Sequence, residues 1–139
     1  MNGICKEGLQ LWARWTEMWN GSPALARELV AERFVLHLSL PKLVDPATVN
    51  DPASVERWVI AHRSRVSPTF HYEAGPFVDT VAGVVAGPWW ADLVVDGKPC
   101  LACGMDTIAF RDGKITEYWT LSKEVETVGV WTKALAARR

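Results

Sequence analysis

Two carboxylates in the last third of the chain, Asp106 and Glu117, sit in apolar, strand-like surroundings where a carboxyl group can transfer protons. They flank Asp112-Gly113, a dipeptide suited to a two-residue type I′ hairpin turn. A one-to-one register from that turn sets Phe110 against Ile115, Ile108 against Glu117 and Asp106 against Trp119. Strand alternation then gathers Asp106, Ile108, Phe110, Ile115, Glu117, Trp119 and Leu121 on one mostly apolar face, which should point inward. The two carboxylates would lie roughly 7–8 Å apart across the diagonal. An aspartate among Ile, Phe and Trp loses the solvation of its charged form, so its pKa should rise toward the range of a general acid or base at neutral pH. Glu117 remains a candidate unless a bulge or a solvent-facing strand end removes it from that face.

His37 is the third candidate. It shares a strand face with Ser39, and Leu36, Leu38 and Leu40 share the other. If the leucines face helices His37 points outward; if a pocket opens there, it is the one nearby imidazole with a useful pKa. His62 falls on the apolar side of a helix and reads as a core histidine, and His71, between Phe70 and Tyr72, reads as exposed. Eight tryptophans against two tyrosines is the strongest bias in composition. Indole suits a core, and it equally suits the wall of a pocket for a flat hydrophobic ligand. Trp15, Trp19, Trp58, Trp89, Trp90, Tyr118 and Trp119 are the expected lining. Cys100 and Cys103 form a C-x-x-C pair with no second pair or spaced histidine to complete a zinc site, and they lie in an extended apolar segment, so reduced buried thiols are expected and no metal.

The elements that must position these residues follow from periodicity. Leu11, Trp12, Trp15, Met18 and Trp19 recur at helical spacing within residues 4–19, ending at Asn20-Gly21. Ser22-Pro23 opens a second, shorter helix to about Glu32, residues 34–40 turn to strand, and residues 42–50 form a loop. Asp51-Pro52 caps a third helix whose buried face carries Val55, Trp58, Val59, His62 and Val66, while Arg57, Arg63 and Arg65 form its solvated face. Residues 70–85, 89–95, 100–110 and 115–121 then read as strands, separated by Gly87-Pro88, Asp96-Gly97 and Asp112-Gly113. Residues 125–137 fit either a strand extension or a frayed helix. Helices first and antiparallel strands after make an α+β fold.

With 139 residues, 49% hydrophobic and 22% charged, the sequence fits one domain over 1–139. A domain of this length buries roughly 68% of its unfolded surface. Fifteen basic against sixteen acidic residues leave no electrostatic drive toward nucleic acid. The first residues lack a basic stretch followed by an apolar one, and no run of eighteen apolar residues occurs, so a cytoplasmic protein without membrane contact is expected. No glycine motif that cradles phosphate is present, and no cofactor is expected.

The hairpin Gly104-Met105-Asp106-Thr107-Ile108-Ala109-Phe110-Arg111-Asp112-Gly113-Lys114-Ile115-Thr116-Glu117-Tyr118-Trp119, together with the order of elements before it, resembles the SnoaL-like proteins of the nuclear-transport-factor-2-like (NTF2-like) superfamily. The resemblance implies a cone-shaped barrel in which three N-terminal helices pack on a curved antiparallel sheet, usually a homodimer, with a deep apolar pocket between the two layers. It implies that Asp106 stands where SnoaL-like polyketide cyclases carry their acid/base. In relatives resembling limonene-epoxide hydrolase an Asp-Arg-Asp trio is expected. Asp92 matches the first acid, but Trp90 stands at the arginine and Thr120 at the second acid, which argues against epoxide hydrolysis. The expectation is a small cofactor-independent cyclase or isomerase of polyketide or related secondary metabolism, such as antibiotic biosynthesis. The alternative is a non-catalytic hydrophobic-ligand-binding or dimerisation module, and the second alternative an epoxide-hydrolase-like enzyme.

Overall fold

A computed structural model of the chain describes residues 3–38, 44–66, 77–79, 82–95 and 98–125. Helix α1 (Gly3–Trp19) buries Gly8, Leu11, Trp12, Trp15, Met18 and Trp19, one stripe at three- and four-residue spacing. Its end is built as a glycine stop. Gly21 takes φ +129°, and the Ser22 N–H reaches back to the Glu17 and Met18 carbonyls at 3.3 and 3.2 Å. Arg63, expected on a solvated face, instead donates to the Trp19 carbonyl and so pins the third helix to the end of the first.

A 3-10 turn (Pro23–Leu25) leads into the single turn α2 (Ala26–Leu29), and β1 (Val30–Leu38) begins earlier than the sequence suggests. Ala31, Glu32 and Arg33 favour helix locally, but pairing to the last strand with Val30, Phe34 and Leu36 buried outweighs that preference. A second 3-10 turn (Pro46–Thr48) precedes α3 (Pro52–Val66). The start of α3 is a reciprocal cap: Asp51 Oδ1 accepts from the Ser54 N–H at 2.7 Å, and Ser54 Oγ accepts from the Asp51 N–H at 3.0 Å. The Ser54 hydroxyl and then its backbone N–H hold the Asp51 carboxyl below its ordinary range. A carboxyl lowered by folding stabilises the protein above the unfolded carboxylate range, and that stabilisation is lost as pH falls through the lowered value. Asp51→Asn keeps a capping oxygen without the ionisation. Thermal melts should therefore show wild type above the variant at neutral pH, with the gap closing in acid; a gap constant from pH 7 to 3 would contradict the assignment.

Strands β2 (Phe77–Asp79), β3 (Val84–Val95), β4 (Lys98–Arg111) and β5 (Lys114–Val125) complete a five-stranded sheet of order β1-β5-β4-β3-β2. The sheet is mixed and not wholly antiparallel, because β1 runs parallel to β5. The chain passes through α3 and three strands between them, a connection long enough for parallel pairing. Gly87-Pro88 does not break β3: Gly87 pairs with Asp106 and Pro88 with Met105. Among the described residues β2 pairs with Val84, Val85 and Ala86 and does not reach Pro88, where a missing N–H is tolerated. Of expected strand 70–85, Ala82 and Gly83 form a turn, and residues 70–76, with His71, lie outside the described set, as do Ser39 and residues 126–137.

The hairpin turn is as expected, with φ +52° at Asp112 and +74° at Gly113. Its register is not. Phe110 pairs with Ile115, but Ala109 pairs with Glu117, leaving Thr116 as the extra residue of a β-bulge. Beyond the bulge Ile108 faces Tyr118 and Asp106 faces Thr120. The inner face therefore carries Asp106, Ile108, Phe110, Ile115, Tyr118 and Thr120, all buried against the helices. Three helices packed on this sheet are the expected α+β architecture. Among the described residues no helix is long and apolar enough to cross a membrane.

Candidate functional site

Asp106 is the one fully buried carboxylate among the described residues, with 0% exposure. Both oxygens are engaged by neighbouring strands. Trp89 of β3 donates its indole N–H to Oδ1 at 2.7 Å, and Tyr118 of β5 donates its phenol to Oδ2. Each donor lies two residues along its strand from the residue paired with Asp106, the same-face diagonal that lets long aromatic side chains meet a shorter one. Burial disfavours the charged carboxylate and the two donors favour it. A carboxylate accepts at both oxygens, so these two donors fix its orientation.

Gly104 makes this arrangement possible. It pairs with Trp89, and a Cβ there would stand 2.9 Å from the Trp89 Cε2 and Nε1 atoms and 2.1 Å from the Leu121 carbonyl oxygen. The bare backbone lets the indole lie across β4 and turn its N–H to Asp106.

The inward aromatic side chains form a connected chain. Trp15 lies 4.8 Å from Tyr118 between ring centroids and 6.4 Å from Trp19; Trp19 lies 4.9 Å from Trp58, which is 6.2 Å from Tyr118. Trp15 and Trp19 are buried, whereas Trp58 is only partly so and packs at the margin of the core with Leu25, Leu38 and Val44. His62 meets the edge of Trp19 at 5.4 Å, as a core histidine would.

Three expected site residues lie on the other side of the sheet. The bulge turns Glu117 and Trp119 to the outer face, and His37 is there too because Leu36 and Phe34 face the helices. His37 stacks on Trp119 at 4.7 Å with 6° between planes, and its Nε2 is 3.0 Å from Glu117 Oε2. The sheet backbone separates this trio from Asp106, so the expected Asp106–Glu117 pair does not form. Trp90 is buried yet belongs to the face opposite Trp89, outside the core cluster, beside Cys103. Asp92 occupies the β3 position opposite Leu101, and its side chain lies outside the described residues. Among the described residues no three His, Cys, Asp or Glu side chains gather as a metal site requires. Tyr118 and Trp89, expected only as wall residues, orient Asp106, and Gly104, not expected at the site, makes room for the indole. Once a bulge is allowed, the burial of Ile115 and Tyr118 three residues apart is the signal that identifies the inner face.

No protein-family profile matches the chain, and no curated protein does. Solved structures do match. A candidate polyketide cyclase from Acidithiobacillus ferrooxidans superposes with a TM-score of 0.70 at 19% identity, covering 94% of this chain and 96% of that one. IdmH, a candidate polyketide cyclase from Streptomyces antibioticus, gives 0.68 at 24% identity over 84% and 91% of the two chains. A SnoaL-like polyketide cyclase from Agrobacterium tumefaciens gives 0.66 at 10% identity over 88% and 93%. At these identities the likeness is one of fold, and the chain shares the fold of these SnoaL-like and candidate polyketide cyclases.

Proposed function

We propose that this protein is a cofactor-independent acid/base enzyme of the cyclase type, working in the cytoplasm on a hydrophobic substrate with an activated carbon–hydrogen bond. The observation that carries the reading is Asp106, buried on the inner face and oriented by Trp89 and Tyr118 beside the aromatic cluster. The fold's likeness to candidate polyketide cyclases supports the same class of substrate. In an aldol-type ring closure the Asp106 carboxylate takes a proton from the carbon α to a carbonyl, and the C–H electron pair passes into that carbonyl as an enolate. The enolate carbon then bonds to a second carbonyl carbon, whose oxygen receives the proton back from Asp106. The step is redox-neutral and leaves Asp106 as it began.

Incubation with linear poly-β-ketone thioesters tests the reading. Ring closure should raise aromatic absorbance with wild-type protein above the uncatalysed rate. Native mass spectrometry that finds such a molecule bound and unchanged would favour the binding module instead.

The outer face supports a homodimer. Val35, Met105, Trp119 and Leu121 are exposed there, Leu121 at 65%, around the His37–Glu117 pair. A second copy of the same apolar patch across a two-fold axis would cover it. Light scattering should give twice the chain mass at micromolar concentration, with Leu121→Asp shifting it to the monomer. A wild-type monomer would count against the dimer.

A further inference from the structure

Trp15 carries a polar group that the acid/base step does not use. Its side chain is 1% exposed, among Tyr118, Trp19 and Phe34, and its indole N–H has no hydrogen-bond partner among the described residues. A buried donor left unsatisfied is destabilising, and a phenylalanine would fill much of the same space without that cost. The Tyr118 ring it touches is the one whose hydroxyl holds Asp106.

Resting on the acid/base reading above, we infer that the Trp15 N–H is the donor for the substrate's carbonyl oxygen, and that the site selects flat apolar ketones over hydrocarbons of the same shape. The logic is electrostatic. When Asp106 removes the α-proton, the carbonyl oxygen gains the negative charge of an enolate, and a preoriented donor in a low-dielectric site stabilises that charge with no reorganisation. Asp106 cannot serve both ends of the substrate, because its oxygens hold Trp89 and Tyr118. The Tyr118 O–H is already committed to Asp106, so the uncommitted N–H of Trp15 is the neighbouring group that can answer the oxygen.

The matched pair 9-fluorenone and fluorene, one a ketone and the other its methylene counterpart, isolates this donor. Wild-type protein should bind fluorenone at least about tenfold more tightly than fluorene, a difference of about 1.4 kcal/mol. The Trp15 indole N–H proton resonance should move downfield with fluorenone alone. Trp15→Phe should bring the two affinities within twofold. Should that variant fold poorly, 3-benzothienylalanine at position 15, which replaces the N–H by sulfur at nearly constant shape, gives the same reading. A fluorenone preference that survives loss of the N–H would overturn the inference and leave Asp106 untouched; an unshifted resonance with fluorenone bound would do the same. Failure of both probes to bind would overturn the apolar site itself, and with it both readings.

Discussion

Asp106→Asn should leave a folded protein whose turnover is lower by about 10²-fold or more. The substitution keeps shape and removes the ability to take a proton. The effect on stability follows from the two donors. Asparagine offers one acceptor oxygen and one NH2 group, and the Trp89 N–H can only donate, so the oxygen must turn to Trp89 and the NH2 to Tyr118. The phenol can answer by rotating its hydroxyl and accepting. One charge-assisted bond is exchanged for a neutral one on each side, a loss of a few kcal/mol at most. Asp106→Ala differs, because it strands the Trp89 and Tyr118 donors in the core at about 1–3 kcal/mol each and leaves a cavity beside them. Melting temperatures should therefore fall in the order wild type, Asn, Ala, while both variants are inactive. Full turnover by a folded Asp106→Asn protein would remove the residue from the mechanism.

Gly104→Ala should cost much more in folding than a methyl group added where there is room for it. Its Cβ would meet the Leu121 carbonyl oxygen at 2.1 Å and the Trp89 indole at 2.9 Å, so either β5 or the indole must move. Backbone against backbone cannot relax by a rotamer change. We expect a loss of about 3 kcal/mol or more, on the order of 10 °C in Tm, with a changed near-ultraviolet circular dichroism band as Trp89 is displaced. Gly3→Ala is the control, since no atom lies within 4 Å of the Cβ it would add. Equal melting temperatures for the two alanine variants would contradict the close approach at Gly104.

The first half of the chain was largely legible in its sequence because local signals there are redundant. The stripe from Leu11 to Trp19 and the Asn20-Gly21 stop agree on the end of the first helix, the Asp51-Pro52 cap marks the start of the third, and all agree with the structure. Asp106 was legible as well, since it lies on the strand where alternation alone sets the face. The other side of the hairpin was not. Thr116 bulges with no glycine to mark it, and Tyr118-Trp119 offers an aromatic residue to either face, so the apolar pattern fits both registers. A one-residue slip then exchanged Glu117 and Trp119 for Tyr118 and Thr120. The parallel pairing of β1 was hidden for another reason. It is a contact between distant parts of the chain, and nothing local in residues 30–38 distinguishes a parallel partner from an antiparallel one.

The central claim is that Asp106 acts as a base on a carbon-bound proton in an apolar site, and 5-nitrobenzisoxazole tests it without knowledge of the natural substrate. A base removes the proton at its C3, the ring N–O bond breaks, and the coloured cyanophenolate forms with no other reactant. The account predicts saturable ring opening by wild-type protein, at least about 10²-fold slower in folded Asp106→Asn. It also predicts a rate that declines in acid as the carboxylate is protonated. Equal rates for the two proteins, with the variant's circular dichroism and melting showing it folded, would contradict it.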